Sequence, residues 1–579
     1  MKIFPQTLTT LPSKVWPQRR LCDACEKLDL DILFCDETSQ QYIGKISKYQ
    51  HPDCPFCGLI SGAVLRAWGA AETHRAEGCE LLIQSRSPLS VIEDGHTRHP
   101  QPRLLLATDQ EPPMFHHNKA PQRQVDRAKS GFIIAEIESL PHYDSENNYL
   151  PRREIGKYVD IALVKDWLNG CQNHQHSKRS VGESVGSDLF QPQFPFRLVD
   201  VERECIIEKV ERCEYVALSY VWGDTPTLST SSSHGINDQD EIPILETLRG
   251  NIEDMKVDKS LSKLGSESTL SGRIPATVRD AMEFTRRIGM RYMWVDTLCI
   301  VQDDEDEKKR LITQMGDIYN SAVVTIIAAA GSNADAGLNG ISPRTGRPLN
   351  PVTILIDPDE TVLNLSVSLS SLCEEVRRET WNSRGWTFQE QSLSQRCLYF
   401  TSDEVFFNCS ECQRREGYDY ADTRKMTNKE VEIRIRTGPP WWNRNLRRDL
   451  DPTPYHYLGG TSVEQMDAQA YQTAVQEYTQ KSLKYPHDIF NAFEGIFNKF
   501  ERFGNETTEK LSIRQAQAIP SHLLCRAMLW FPLPGVEKRR LGGEDAGRQG
   551  IPYEQLSSWS WYVIIIGYLL WRPGWGGGG

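Results

Sequence analysis

The sequence predicts an α/β fold in the middle of the chain, a parallel β-sheet flanked by helices. Three observations carry this. Apolar, β-prone runs stand at 214–222, 290–295 and 322–328, helical periodicity fills the intervals, and Pro or Gly marks the joints. Strand, helix, strand, helix, strand with short turns is the pattern of a parallel sheet covered by helices.

The first run, EYVALSYVW, is almost continuously apolar, as a strand buried on both faces should be. The Ser/Asp/Glu/Gly-rich stretch 225–272 has little periodicity and reads as a long loop or insertion. Pro275 then opens a helix whose apolar positions Val278, Ala281, Met282, Thr285 and Ile288 recur at helical spacing, and Gly289 stands where a C-terminal cap belongs. The second strand, 290–295, ends at Asp296. Asp303 and Asp304 give the next helix an acidic start, and Leu311, Met315, Ile318 and Tyr319 its buried face. The third strand, 322–328, is bounded by Gly331. Ligands of such sheets bind beyond the carboxyl ends of the strands. That singles out Ser219 and Asp224 after the first strand and Asp296 after the second.

With 579 residues, 39% hydrophobic and 25% charged, the chain is long enough for several domains with sizeable cores. A net charge of −12 leaves no electrostatic footprint for nucleic acid. No run reaches the roughly 18 apolar residues of a membrane span, the nearest being 562–571. The N-terminus offers no signal-peptide core, so the 15 cysteines read as reduced thiols in a cytoplasmic protein. Composition shifts divide the chain into an N-terminal region (1–170), a polar linker (171–194), the central domain (195–420, core 215–400), a mostly helical C-terminal region (421–571) and a Gly-rich tail (572–579).

Cys22-x-x-Cys25 and Cys54-x-x-Cys57 are two knuckle-like pairs. Paired CxxC is what a tetrahedral, structural Zn²⁺ site asks for, although their separation exceeds the commonest one. His51 is a substitute ligand. The other reading is four unligated cysteines in a small helical or loop region.

Three blocks, YVALSYVWGD at 215–224, RYMWVDTLCIVQD at 291–303 and SRGWTFQE at 383–390, together resemble the defining blocks of the fungal heterokaryon-incompatibility (HET) domain family. The resemblance implies a part in non-self recognition and programmed cell death, exerted through self-association or through another incompatibility protein. It also implies a remote likeness to Toll/interleukin-1 receptor (TIR) domains and thus a TIR-like, flavodoxin-like sheet. In TIR-type NAD hydrolases a Trp precedes the catalytic Glu by a similar spacing. This nominates Glu390 as the catalytic carboxylate, with NAD(P)⁺ as candidate substrate. Asp296 would hold a ribose hydroxyl or orient Glu390. Trp386 would stack on the cofactor, Arg384 pair with phosphate, and Ser219 and Asp224 line the cofactor site.

Bland roles stand beside these. Trp222, Trp294 and Trp386 suit a core, Asp296 a helix cap, Ser219 a strand-end hydrogen bond, Cys299 a small buried hydrophobe, and Arg384 with Glu390 a structural ion pair. The alternative function is a non-enzymatic signalling module that works by assembly. The enzyme reading expects Glu390, Trp386 and a strand-end acid around one cleft; the assembly reading expects Glu390 buried or paired with Arg384.

Overall fold

The structure, a computed structural model, describes residues 21–28, 40–51, 53–68, 73–86, 91–93, 96–98, 103–109, 132–139, 155–172, 196–209, 213–223, 243–262, 270, 272–347, 352–355, 362–367, 372–409, 413–417 and 468–504, with short strands at 530–532, 537–538, 564–565 and 569–571. The chain divides into two compact units. One comprises Met1–Glu154, Leu349–Ser370 and Gly417–Asn445; the other comprises Ile155–Pro348, Ser371–Glu416 and Leu446–Gly579.

The first unit is built on a six-stranded antiparallel sheet. Strands β1 (Gln40–Lys45), β2 (Glu80–Arg86), β3 (Arg103–Thr108) and β4 (Phe132–Ser139) follow one another across it, and strands Val362–Val367 and Val352–Leu355 complete it. Helix α1 (Pro55–Trp68) packs on β4 and on those last two strands. Its buried residues Phe56, Leu59, Ile60, Ala63 and Val64 fall at one-face helical spacing. They share a modest core with Leu81, Ile83 and Leu106.

The second unit is a mixed α/β fold around an eight-stranded sheet. Its strands are β5 (Phe196–Asp200), β6 (Cys205–Lys209), β7 (Val216–Ser219), β8 (Tyr292–Trp294), β9 (Val324–Ala328), β10 (Arg396–Phe400), β11 (Val405–Cys409) and β12 (Gln413–Arg415), in the spatial order β12-β11-β10-β9-β7-β8-β5-β6. The four central strands, β8, β7, β9 and β10, are mutually parallel. An antiparallel hairpin closes each edge. Residues of β7 and β9 are buried without interruption, because helices cover both faces.

The sequence explains the helices of this unit. The five apolar positions expected for α3 (Ala276–Arg287) and its cap are all buried. Gly289, at φ 90°, lets the chain turn out of that helix: Met290 N–H donates to Thr285 O and Gly289 N–H to Arg286 O, both at 3.0 Å. This is the doubly bonded cap that a left-handed residue permits. Helix α4 (Glu305–Ser321) starts where Asp304 accepts from Glu307 N at 3.1 Å and buries Leu311, Met315, Ile318 and Tyr319.

Helix α5 (Gly385–Leu393) is unusual in burying nearly everything it carries, including Gln389, Glu390, Gln391 and Ser392. It packs against α4 and against the later helix Asn491–Gly504. A side chain at Gly316 would lie 2.9 Å from Gly495 Cα, so two glycines let the backbones touch. Gln389 Oε1 accepts from Gly495 N at 2.7 Å across that contact. Side chains alternate across the sheet: Phe400 meets Phe284 of α3 edge-on at 5.0 Å, while Tyr399 meets Trp381 on the opposite face at 6.1 Å.

Within 225–272, residues 243–262 carry a short helix, α2 (Ile252–Met255), and an isolated bridge ties Ile244 to Arg273. Among the described residues no helix is long and apolar enough to cross a membrane.

Candidate functional site

Ser219 ends β7, and its hydroxyl joins two elements that the sequence holds far apart. It donates to Glu390 Oε2 on α5 and accepts from Trp381 Nε1 at 2.8 Å. All three are buried, Glu390 being 6% exposed. The Tyr319 hydroxyl of α4 donates to Leu218 O at 3.0 Å and also helps to hold the Glu390 carboxyl down. The net effect is nevertheless upward. Burial pushes Glu390 up to about 7, the charge of Asp296 adds to the rise, and Ser219, Arg384 and Tyr319 oppose it.

Asp296 follows β8 and starts the short helix Asp296–Cys299. Its Oδ1 accepts from Thr297 N at 2.8 Å and its Oδ2 from Trp222 Nε1 at 2.9 Å. Burial raises its carboxyl to about 6, against those two donors and the Arg384 guanidinium. Arg384, at the N-cap of α5, reaches Tyr220 O at 3.5 Å. Tyr220 shares a 3.1 Å hydrogen bond with Thr297, which ties the ends of β7 and β8 together. The centre therefore holds two buried carboxyls, the charge of Asp296 further raising Glu390, and one cation that relieves both. One of the pair can carry a proton near neutral pH while the other carries charge.

A second cluster lies in the first unit. The sulfurs of Cys22, Cys25, Cys54 and Cys57 all fall within 4.8 Å of one another, with Cys22–Cys57 at 3.7 Å and Cys25–Cys57 at 3.6 Å. Four sulfur donors gathered in this way can hold a metal ion. Burial and neighbouring thiols push Cys25 far up, and burial pushes Cys57 up to about 12. At Cys22 burial is outweighed by the N–H groups of Cys25 and Ala24, which hold it near 7. His51 is exposed, and its ring accepts from Asp53 N at 3.4 Å.

Residues 215–390 match the family model described as heterokaryon incompatibility protein (HET). The chain carries a HET domain. It is also similar to heterokaryon incompatibility protein 6, OR allele, of Neurospora crassa, with 28% identity over 152 residues, which is 24% of this chain and 19% of that protein. The chain thus covers about a fifth of the relative it matches. No solved structure matches it.

The HET match begins one residue before β7 and ends on Glu390, so both acids and the Ser219 bridge lie within it. Of the residues nominated from the sequence, Glu390, Asp296, Ser219 and Arg384 meet in one centre. Trp386 sits one turn before Glu390 on α5, half-buried against the core. Asp224 lies outside the described residues. Among the ion pairs of the described residues Arg384 and Glu390 are not a pair, and Arg384 turns to a carbonyl instead. Cys299 is buried, its sulfur accepting from Val295 N at 3.4 Å.

Sequence reading passed over Trp381 and placed Tyr319 only on a helix's buried face; both position the Ser219–Glu390 pair. A second Trp shortly before the SRGWTFQE block was the available signal for the first. Trp222, read as a core aromatic, is half-buried and holds Asp296. Its loop needs the following glycine, because a side chain at Gly223, φ 66°, would lie 2.8 Å from Ser332 O.

Proposed function

We propose that this chain acts in the cytoplasm in fungal heterokaryon incompatibility, and that its HET domain promotes cell death by hydrolysing NAD(P)⁺ at Glu390. One observation carries the reading: two carboxyls with raised pKa values, Glu390 and Asp296, meet at the carboxyl ends of parallel strands. Counted along the chain, the parallel strands stand in the order 2-1-3-4. That order is flavodoxin-like and supports the TIR-like resemblance; its switch point lies between β7 and β9, where such folds bind ligands. Hydrolysis breaks the nicotinamide–ribose bond, water supplies the new oxygen, and a proton is released with ADP-ribose and nicotinamide. An ionised Glu390 would stabilise the oxocarbenium-like transition state. Asp296 would hold a ribose hydroxyl, Arg384 the pyrophosphate, and Trp386 a flat ring. Ser219 would keep Glu390 in place, and Asp224 would help to bind the cofactor. The four-cysteine cluster stands outside this chemistry, and its reading is a structural zinc site.

A second reading is favoured by the burial of Glu390. A carboxyl that is 6% exposed and bonded to Ser219 also serves as a clasp between β7 and α5, in a domain that signals by self-association or with another incompatibility protein. Cellular NAD⁺ and viability, followed after induction in a fungal host beside a folded Glu390→Gln variant, separate the two. Depletion and death with the parent alone support hydrolysis. Death with NAD⁺ intact sinks it in favour of assembly.

A further inference from the structure

We infer that Cys22, Cys25, Cys54 and Cys57 form a closed, tetrahedral zinc–thiolate centre that braces the first unit, independently of any activity of the HET domain. A zinc ion with Zn–S bonds of about 2.3 Å sets its four sulfurs roughly 3.8 Å apart at the corners of a tetrahedron. The Cys22–Cys57 and Cys25–Cys57 separations of 3.7 and 3.6 Å are of that size, and all four sulfurs stay within 4.8 Å of one another. Four thiolates are soft donors that suit zinc and leave no position for a substrate, so the role is structural.

The backbone prepares each pair. Cys25 N–H and Glu26 N–H both return to Cys22 O at 2.9 Å, folding the first CxxC into a tight knuckle. Cys54 immediately precedes α1 and Cys57 lies in its first turn, so the second pair uses helix geometry, with Gly58 N donating to Cys54 O at 3.1 Å. Cys22 N–H points at Cys54 Sγ at 3.4 Å, an outer donor across the two pairs of the kind that orients metal ligands. A pocket of about 510 Å³ lined by Leu21, Cys22, Asp23, Lys48, His51 and Asp53 gives the ion a way in.

Other described cysteines supply an internal contrast. Cys79, Cys171, Cys205, Cys213, Cys299, Cys397 and Cys409 join no such group, although Cys79 belongs to the same core. Residues 21–28 have only turns, yet Cys25 is fully buried. A small core holding an irregular segment is the situation in which natural domains add a metal.

The test is metal analysis of the full chain, purified reduced and without chelator, beside Cys54→Ser and Cys79→Ser. About one zinc per chain is expected, released when the thiols are mercurated, lost by Cys54→Ser and kept by Cys79→Ser. Cobalt exchanged into the parent should give the intense visible bands of a tetrahedral tetrathiolate, a readout that needs no variant to fold. Folded parent with no zinc and no such cobalt spectrum overturns the inference. So does zinc that survives Cys54→Ser.

Discussion

The carboxyl centre of the second unit and the thiol cluster of the first both bury groups that ionise, and they manage the penalty by different means. Around Glu390 and Asp296 the protein supplies its own partners: Ser219, Trp222, Thr297 and the Arg384 charge. Around Cys25 it supplies mostly more sulfur, and burial together with Cys54 and Cys57 makes that thiol harder to ionise. The first arrangement is a hydrogen-bonded network with a cation beside it. The second is completed by a cation. A buried network with all partners present rigidifies what it joins, whereas a ligand cluster stores its stabilisation in the ion.

Breaking the thiol cluster should therefore have the largest effect. Cys54→Ser is expected to remove several kcal/mol from the first unit, since metal-binding free energy is folding free energy in small metal-braced domains. Hydrogen exchange should show lost protection at β1, β2 and α1, with β7 and β9 unchanged. Equal protection in variant and parent would refute the bracing role. Next in size is the glycine crossing that seats α5. Gly316→Leu puts a side chain against Gly495 Cα and Leu393, and overpacking of this kind costs about 1–3 kcal/mol. A melting temperature unchanged from the parent would show that the helices yield freely.

These two sites were legible in the sequence to different degrees. The CxxC spacing gave the four cysteines directly, because a metal site is written in residue type and interval. Strands, helices and caps from 214 to 331 were legible because periodicity and Gly289 act locally. Ser219 and Asp296 came from the strand-end rule. The clasp itself was not legible. Ser219 and Glu390 are joined by tertiary packing, and the polar run Gln389–Ser392 gave no sign that it would be buried. Nor does local pattern show that strand Val362–Val367 pairs with Phe132–Ser139 in the first unit. Pairing across such separations is decided by the whole sheet rather than by either strand.

Loosening the clasp is expected to cost less than either change above. Ser219→Ala leaves Glu390 and the Trp381 indole each short of one partner, worth about 2 kcal/mol, while Trp381→Phe removes the indole donor, worth about 1 kcal/mol, and adds the cost of the void its smaller ring leaves. Because the two act on one chain of hydrogen bonds, their double variant should fall short of the sum. Full additivity in denaturant titrations would mean that Trp381 and Ser219 do not act together.

The pH response is the effect that separates the two sites by sign. The folded pKa of Glu390, near 7, lies above that of an unfolded glutamate, so between those values the folded protein binds more protons. Stability contributed by the protonated acid is thus complete below the unfolded pKa and is lost as pH rises toward 7, at no more than about 1.4 kcal/mol per pH unit. Gln at 390 keeps the neutral shape and cannot ionise. Glu390→Gln should flatten the fall in stability of the second unit between pH 5 and pH 7, and Asp296 should retain a weaker slope at lower pH. A zinc–thiolate cluster at the four cysteines would respond in the opposite direction, since acid protonates ligands and releases metal. Following amides of β7 and of α1 across the same titration compares them in one sample. A slope in β7 that Glu390→Gln leaves untouched would assign the proton to another group, and would remove the raised Glu390 pKa from the case for catalysis.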